Sequence, residues 1–216
     1  MAPAELKLEK LKQAEAEFLQ QYPRGFGSPE MLAVGKKHNM AKMIELSQEV
    51  FAKKAFKDID TLAENMIKVV SRSSMVSMFE KPKFRDFVRR LQKDEKSYLV
   101  NALKDILHGK QERGFEAMVG ILLTEKLAKW SLVSIIPAYF SPDQEVFVKP
   151  TTAKGVIQHF EVPGLIYKPL PSWDFYQRYR AMIVRAKTQV DESLSPSSAA
   201  FSGFLMMTMN KAEARK

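Results

Sequence analysis

The chain has 216 residues, 45% of them hydrophobic and 27% charged, with a formal net charge of +9 and no cysteine. That composition excludes an extended disordered chain and leaves enough apolar material for one large core or two small ones. The missing cysteine excludes disulfides, zinc–thiolate sites, iron–sulfur clusters and cysteine nucleophiles.

Taken in chain order, Ala4 to Tyr22 predict an amphipathic helix, with Leu8, Leu11, Ala14, Phe18 and Tyr22 at helical spacing. Pro23, Gly25 and Gly27 stop it, and Ser28-Pro29-Glu30 has the order of an N-cap, a first helical proline and a first-turn acid. Asn39 is expected to cap a helix burying Met40, Met43, Ile44, Val50 and Phe51. Asp60 is expected to cap one burying Leu62, Met66, Ile67 and Val70. After the polar break Arg72 to Met75, a helix from about Pro82 carries Phe84, Phe87, Val88 and Leu91. Asp94 caps the next, which carries Leu99, Leu103, Ile106 and Leu107 and stops at Gly109. Phe115 to Phe140 are apolar nearly all round and predict one or two central helices, broken before Pro137 or Pro142.

Beyond Pro142 the texture changes. Val146-Phe147-Val148 and Leu165-Ile166-Tyr167 have the β-branched and aromatic content of short strands, each soon followed by a proline that favours an edge. Thr151 or Thr152 would cap a helix to Phe160, and Ser172 one with Tyr176, Tyr179, Ile183, Ala186 and Val190 inward. Ser195-Pro196-Ser197 opens a last element from Ala199 to Met209, helix or strand. The expected fold is mainly α with a small α+β C-terminal part: a helical body over 1–140, and over 141–216 a part with two short strands that shares its core.

The charge is unevenly spread. Residues 81–110 carry 9 Lys/Arg against 4 Asp/Glu and residues 141–190 carry 7 against 4, whereas residues 1–80 carry 12 against 11. The excess lies in two internal blocks, so an anionic partner would meet folded surface rather than a basic tail.

Three groups are candidates for that contact. Lys149, Thr151, Thr152 and Lys154 stand where an extended segment enters a helix, and helix N-termini attract anions. The alternative is that a threonine only caps its own helix. Trp173 with Arg178 and Arg185 pairs an aromatic ring with cations seven residues apart on one helical face, as base stacking and phosphate contact require. Lys81, Arg85 and Arg89 recur every four residues and form a basic helix face; Asp86 is placed to pair with Arg90. A solvated face explains either set of cations as well.

Enzyme signatures are sparse. His38, His108 and His159 lack metal-ligand spacing, and there is no nucleophile elbow or dinucleotide glycine fingerprint. Asp143, Glu145 and Lys149 only loosely follow the carboxylate and lysine pattern of metal-dependent nucleases. No cofactor or metal is expected. Met1 to Tyr22 lack a leader-like apolar run, and the apolar window Ile121 to Phe140 is interrupted by Glu125, Lys126 and Lys129. A cytoplasmic protein with no membrane partner is the expectation.

From Trp130 onward a pattern recurs: the Trp-led apolar helix, Val146-Phe147-Val148-Lys149-Pro150, Tyr167-Lys168-Pro169-Leu170-Pro171-Ser172-Trp173 with Phe175 and Tyr176, and Phe201. It resembles a bacterial protein family of uncharacterised activity with a VFxKP…YxPxPxW signature. Some such proteins are similar to components of DNA-restriction or defence systems. The resemblance implies a nucleic-acid association, but no activity and no site residue.

The leading expectation is a non-catalytic nucleic-acid-associated protein that grips backbone phosphates. The alternative is a protein-interaction or homo-oligomerisation module using methionine and aromatic surface around Phe201 to Met209, and the third is an unrecognised enzyme.

Overall fold

A computed structural model describes residues 4–214 of the chain, and the side chains of residues 4–209. Its centre is the helix α8 (Trp130–Phe140), in which every residue from Trp130 to Tyr139 is buried. An apolar sequence on all sides predicts this, because no face of such a helix prefers water. Pro137 sits inside α8, and the helix runs on to Phe140 before Pro142. The break expected before Pro137 is therefore absent.

Around α8 pack α3 (Met40–Val50), α4 (Ile59–Arg72), α6 (Lys93–His108) and α7 (Gln111–Leu123), with α5 (Glu80–Arg90) against α4. A second group, α1 (Leu8–Gln21), α9 (Pro150–His159) and α10 (Trp173–Lys187), packs on α11 (Ser198–Ala214). The short α2 (Pro29–Lys37) lies beside α3.

An aromatic seam joins the two groups. Phe115 of α7 stacks on Tyr176 of α10 with ring centroids 5.0 Å apart, and Trp130 of α8 meets Phe175 of α10 at 5.0 Å. Pairs at this spacing add stability beyond the area they bury.

α6 and α7 approach most closely at Gly114. A Cβ there would lie 2.6 Å from both the Ala102 carbonyl oxygen and the Ile106 nitrogen, so only glycine lets the backbones meet. Gly25, at φ +51 and against Ser193, is a second position that requires glycine.

The two expected strands are not present: no strand occurs among the described residues, and the chain is all-helical there. Both segments lack regular structure, and side chains replace the missing partner strand. The Val148 N–H donates to Ser134 Oγ at 3.0 Å, and Ser134 Oγ in turn donates to the Trp130 carbonyl at 2.6 Å. In the second segment the Trp130 indole N–H donates to the Lys168 carbonyl at 2.8 Å, and Arg178 donates to the Gly164 carbonyl at 2.7 Å. With these polar groups satisfied from helices, no sheet is needed.

Several helix starts shift by a turn or less. Asp58, not Asp60, caps α4, taking the Thr61 N–H at 3.1 Å. Gln92 and Glu95 form a capping box at α6, leaving Asp94 in its first turn. Lys149 is the N-cap of α9 with Pro150 as its first residue, so neither Thr151 nor Thr152 caps it. Ser28, Asn39 and Ser172 do stand at N-cap positions, and Gly109 ends α6.

Candidate functional site

Most arginines of the two basic blocks have carboxylate partners. Arg85 donates to Asp86 at 2.8 Å, and Arg89 makes a two-pronged contact with Glu64 of α4, both bonds 3.2 Å. Arg178 pairs with Asp174 at 3.7 Å, and Arg185 binds Glu5 near the start of the chain. Exposed pairs such as these contribute little stability. They do neutralise the cations that the sequence offers as phosphate ligands.

Arg180 is held more deeply. Its Nη1 lies 2.7 Å from Glu145 and 2.6 Å from the Gln111 side-chain oxygen, and its guanidinium covers the rings of Trp173 and Tyr176 at 5.6 and 5.7 Å. Glu145 also accepts from Gln111 at 2.8 Å and from the Tyr176 hydroxyl at 2.7 Å. This clasp ties α7, the 141–149 segment and α10 together. Burial, followed by the neighbouring Glu145 charge, holds the Tyr176 phenol well above its ordinary range. Glu145 spends its acceptors on protein donors, and no group of three or more metal-ligating side chains occurs among the described residues.

The histidines are absorbed locally. His108 bonds the Phe51 carbonyl at 2.8 Å and its ring meets Phe56 and Phe140, while His38 bonds Ser74 at 2.9 Å. His159 ends α9 and borders the Phe160 ring. Phe201, Phe204, Leu205 and Met209, the expected interaction surface, are core residues. Thr152 is buried, Thr151 is exposed, and Trp173 is half-buried between Phe115 and Tyr176.

Lysines remain. The ammonium groups of Lys81, Lys83, Lys129, Lys149 and Lys168 have no carboxylate partner among the described residues, and all but the half-buried Lys81 are exposed. Lys154 sits 5.1 Å from the Tyr167 ring centroid.

Hydrogen bonds tether Lys168 and the neighbours of Lys81 and Lys149 to the first turns of α8. Ser131, in the first turn of α8, donates to Glu80 at 2.7 Å and so brings Lys81 alongside. Ser134, one turn on, holds Val148 and with it Lys149. Trp130 holds the Lys168 carbonyl, and Lys129 is the N-cap of α8 itself. One lysine of the first basic block and two of the second, separate in sequence, are thus tied to the start of one helix. That start carries no acidic residue of its own in its first turn, and the Glu80 carboxylate bonded to Ser131 offsets part of the positive end of its dipole.

A cleft of about 540 Å³ lies between α5 and the α7–α8 connection, lined by Lys83, Asp86, Arg90, Glu125 and Leu127. Its acids are paired, Asp86 with Arg85 and Glu125 with Arg90 at 3.6 Å. Lys126 in the connection has φ +58, and the Leu127 N–H donates back to the Leu122 carbonyl at 2.8 Å, closing α7 with a Schellman turn.

Compared with known proteins, the chain matches no protein family, no curated protein and no solved structure. No helix among the described residues is long and apolar enough to cross a membrane.

Proposed function

We propose that the protein is a non-catalytic nucleic-acid-associated protein that contacts backbone phosphates through the lysines gathered at the start of α8. The observation that carries this reading is the convergence of Lys81, Lys129, Lys149 and Lys168 on one helical turn, through the Glu80, Val148 and Lys168 hydrogen bonds. Lysine without a carboxylate partner is free to displace counterions from phosphates, which is the sequence-independent part of nucleic-acid affinity. Of the residues expected from sequence, Lys81 and Lys149 belong to this face. Arg85, Arg89, Arg178 and Arg185 would first have to leave their carboxylates.

The experiment is fluorescence anisotropy with a labelled oligonucleotide across a salt series. The reading expects affinity to fall steeply with salt, with a slope of roughly 0.9 log units per phosphate contacted on duplex. Absence of any salt-dependent binding at low ionic strength overturns it.

A further inference from the structure

We infer that the preferred partner of this face is a single strand rather than a duplex, an inference that rests on the nucleic-acid reading above. The observation is Phe79, 82% exposed, beside Met78 at 81%. Neither belongs to the hydrophobic core nor to the partly buried residues packed on it, and Phe79 has no ring contact among the described residues. A bare phenyl ring gains nothing from a phosphate backbone, and a duplex keeps its base faces inside its own stack. A single strand offers base faces, and stacking on an aromatic ring is tolerant of sequence.

The position of Phe79 is in register with Lys83. Phe79 has helical backbone angles, φ -79 and ψ -24, at the N-cap of α5, so Lys83 stands one turn further on the same face. Lys83 lines the cleft that continues along α5 to Arg90. The backbone that carries the ring is fixed on both sides. The Phe79 N–H donates to Ser77 Oγ at 3.2 Å, and the next residue, Glu80, takes the Ser131 hydroxyl at 2.7 Å. A base stacked on Phe79 would therefore place a neighbouring phosphate beside Lys83. The cleft carries the strand onward past carboxylates that are already paired. Lysine is depleted in protein–protein interfaces, so a protein partner fits this collar poorly.

The test uses the full chain with a labelled oligothymidylate, a hairpin duplex of equal length and anionic phospholipid vesicles at matched salt. The variants are Phe79→Ala and Phe79→Trp, each checked for an unchanged thermal midpoint, as expected for an exposed position. The single strand should bind at least tenfold more tightly than the duplex. Phe79→Ala should weaken single-strand binding by roughly five- to a hundredfold, the size of one base–aromatic stack, and leave duplex binding unchanged. Phe79→Trp should keep the affinity and show quenched indole emission on binding. Equal affinity for both forms, or an indifferent Phe79→Ala, overturns the inference and leaves the phosphate-binding reading standing. No binding to either nucleic acid overturns both. Preferential binding to vesicles assigns the apolar tips to lipid and overturns the inference.

Discussion

Ser131 donates a 2.7 Å hydrogen bond to Glu80, and that single contact fixes the start of α5 against the start of α8. Ser131 is buried and Glu80 half-buried, so the bond lies at the edge of the core. It carries Lys81 and Phe79 on its two flanks, about 200° apart around α5, with Lys83 on the Phe79 side.

Ser131→Ala should therefore act at two levels. Removing the hydroxyl leaves a half-buried carboxylate short of a donor, a loss of about 1–3 kcal/mol. Urea denaturation should show this as a lower midpoint with an unchanged slope. Oligonucleotide affinity should fall as well, although no charge has been altered. Unchanged stability and unchanged affinity would mean that this bond does not position the face.

The Glu145–Arg180 clasp makes a different prediction. Arg180→Met should destabilise the fold by about 3 kcal/mol, because it leaves Glu145 enclosed and without its cation. The double variant Arg180→Met with Glu145→Gln should recover part of that loss, since no unpaired charge remains. Equilibrium unfolding of the single and double variants checks it. Additive losses would mean that the two residues are not coupled.

Gly114→Ala should cost about 1–3 kcal/mol through overpacking. The added methyl would stand 2.6 Å from the backbone of Ala102 and Ile106, which cannot rotate away as a side chain could. α6 and α7 must then separate, and loss of near-ultraviolet circular dichroism from the Phe115–Tyr176 seam should accompany the lower thermal midpoint. A neutral substitution would contradict the close approach.

Alkaline titration provides a fourth check. Burial raises the phenols of Tyr139, Tyr167, Tyr176 and Tyr179 above their ordinary value, with Glu145 adding to the effect at Tyr176. For a group raised in the folded state, the unfolded chain loses its proton first as pH climbs. Stability is thus complete below the ordinary phenol value and declines above it. Most of the tyrosinate absorbance should appear together with unfolding, not before it. Smooth ionisation of all 6 tyrosines in a folded protein would contradict this burial.

Much of the helical plan was legible from periodicity, because helix-forming stripes such as Leu62, Met66, Ile67 and Val70 are local patterns. The two expected strands were misread for the opposite reason. Val146-Phe147-Val148 has strand composition, but its hydrogen-bond partner is Ser134, fourteen residues from Val148 on another element. Local composition cannot announce such a donor. The turns at Lys126 and Glu161 were equally silent: both residues take left-handed backbone angles, φ +58 and +51, without the glycine that marks such turns. The basic blocks were visible as counts, but their neutralisation was not, because Arg185 finds Glu5 and Arg89 finds Glu64 across the fold. In sequence Phe79 only opens the restart Phe79-Glu80-Lys81-Pro82 ahead of the Phe84, Phe87 and Val88 stripe. Only its exposure singles it out.

In the proposed reading a local lysine face, and not overall charge, holds the nucleic acid. Two variants with the same loss of charge separate these ideas. Lys81→Gln/Lys149→Gln/Lys168→Gln removes the face at the start of α8. Lys53→Gln/Lys54→Gln/Lys57→Gln removes three exposed lysines near Phe56, whose His108 neighbour packs on Phe140, at the far end of α8 and about 15 Å along its axis. The most direct measurement is the salt dependence of oligonucleotide binding by the parent protein and both variants. The face variant should bind more weakly, with a salt slope shallower by about two to three units, while the distant variant stays close to the parent. Equal losses in the two variants, or no loss in the face variant, would contradict the claim.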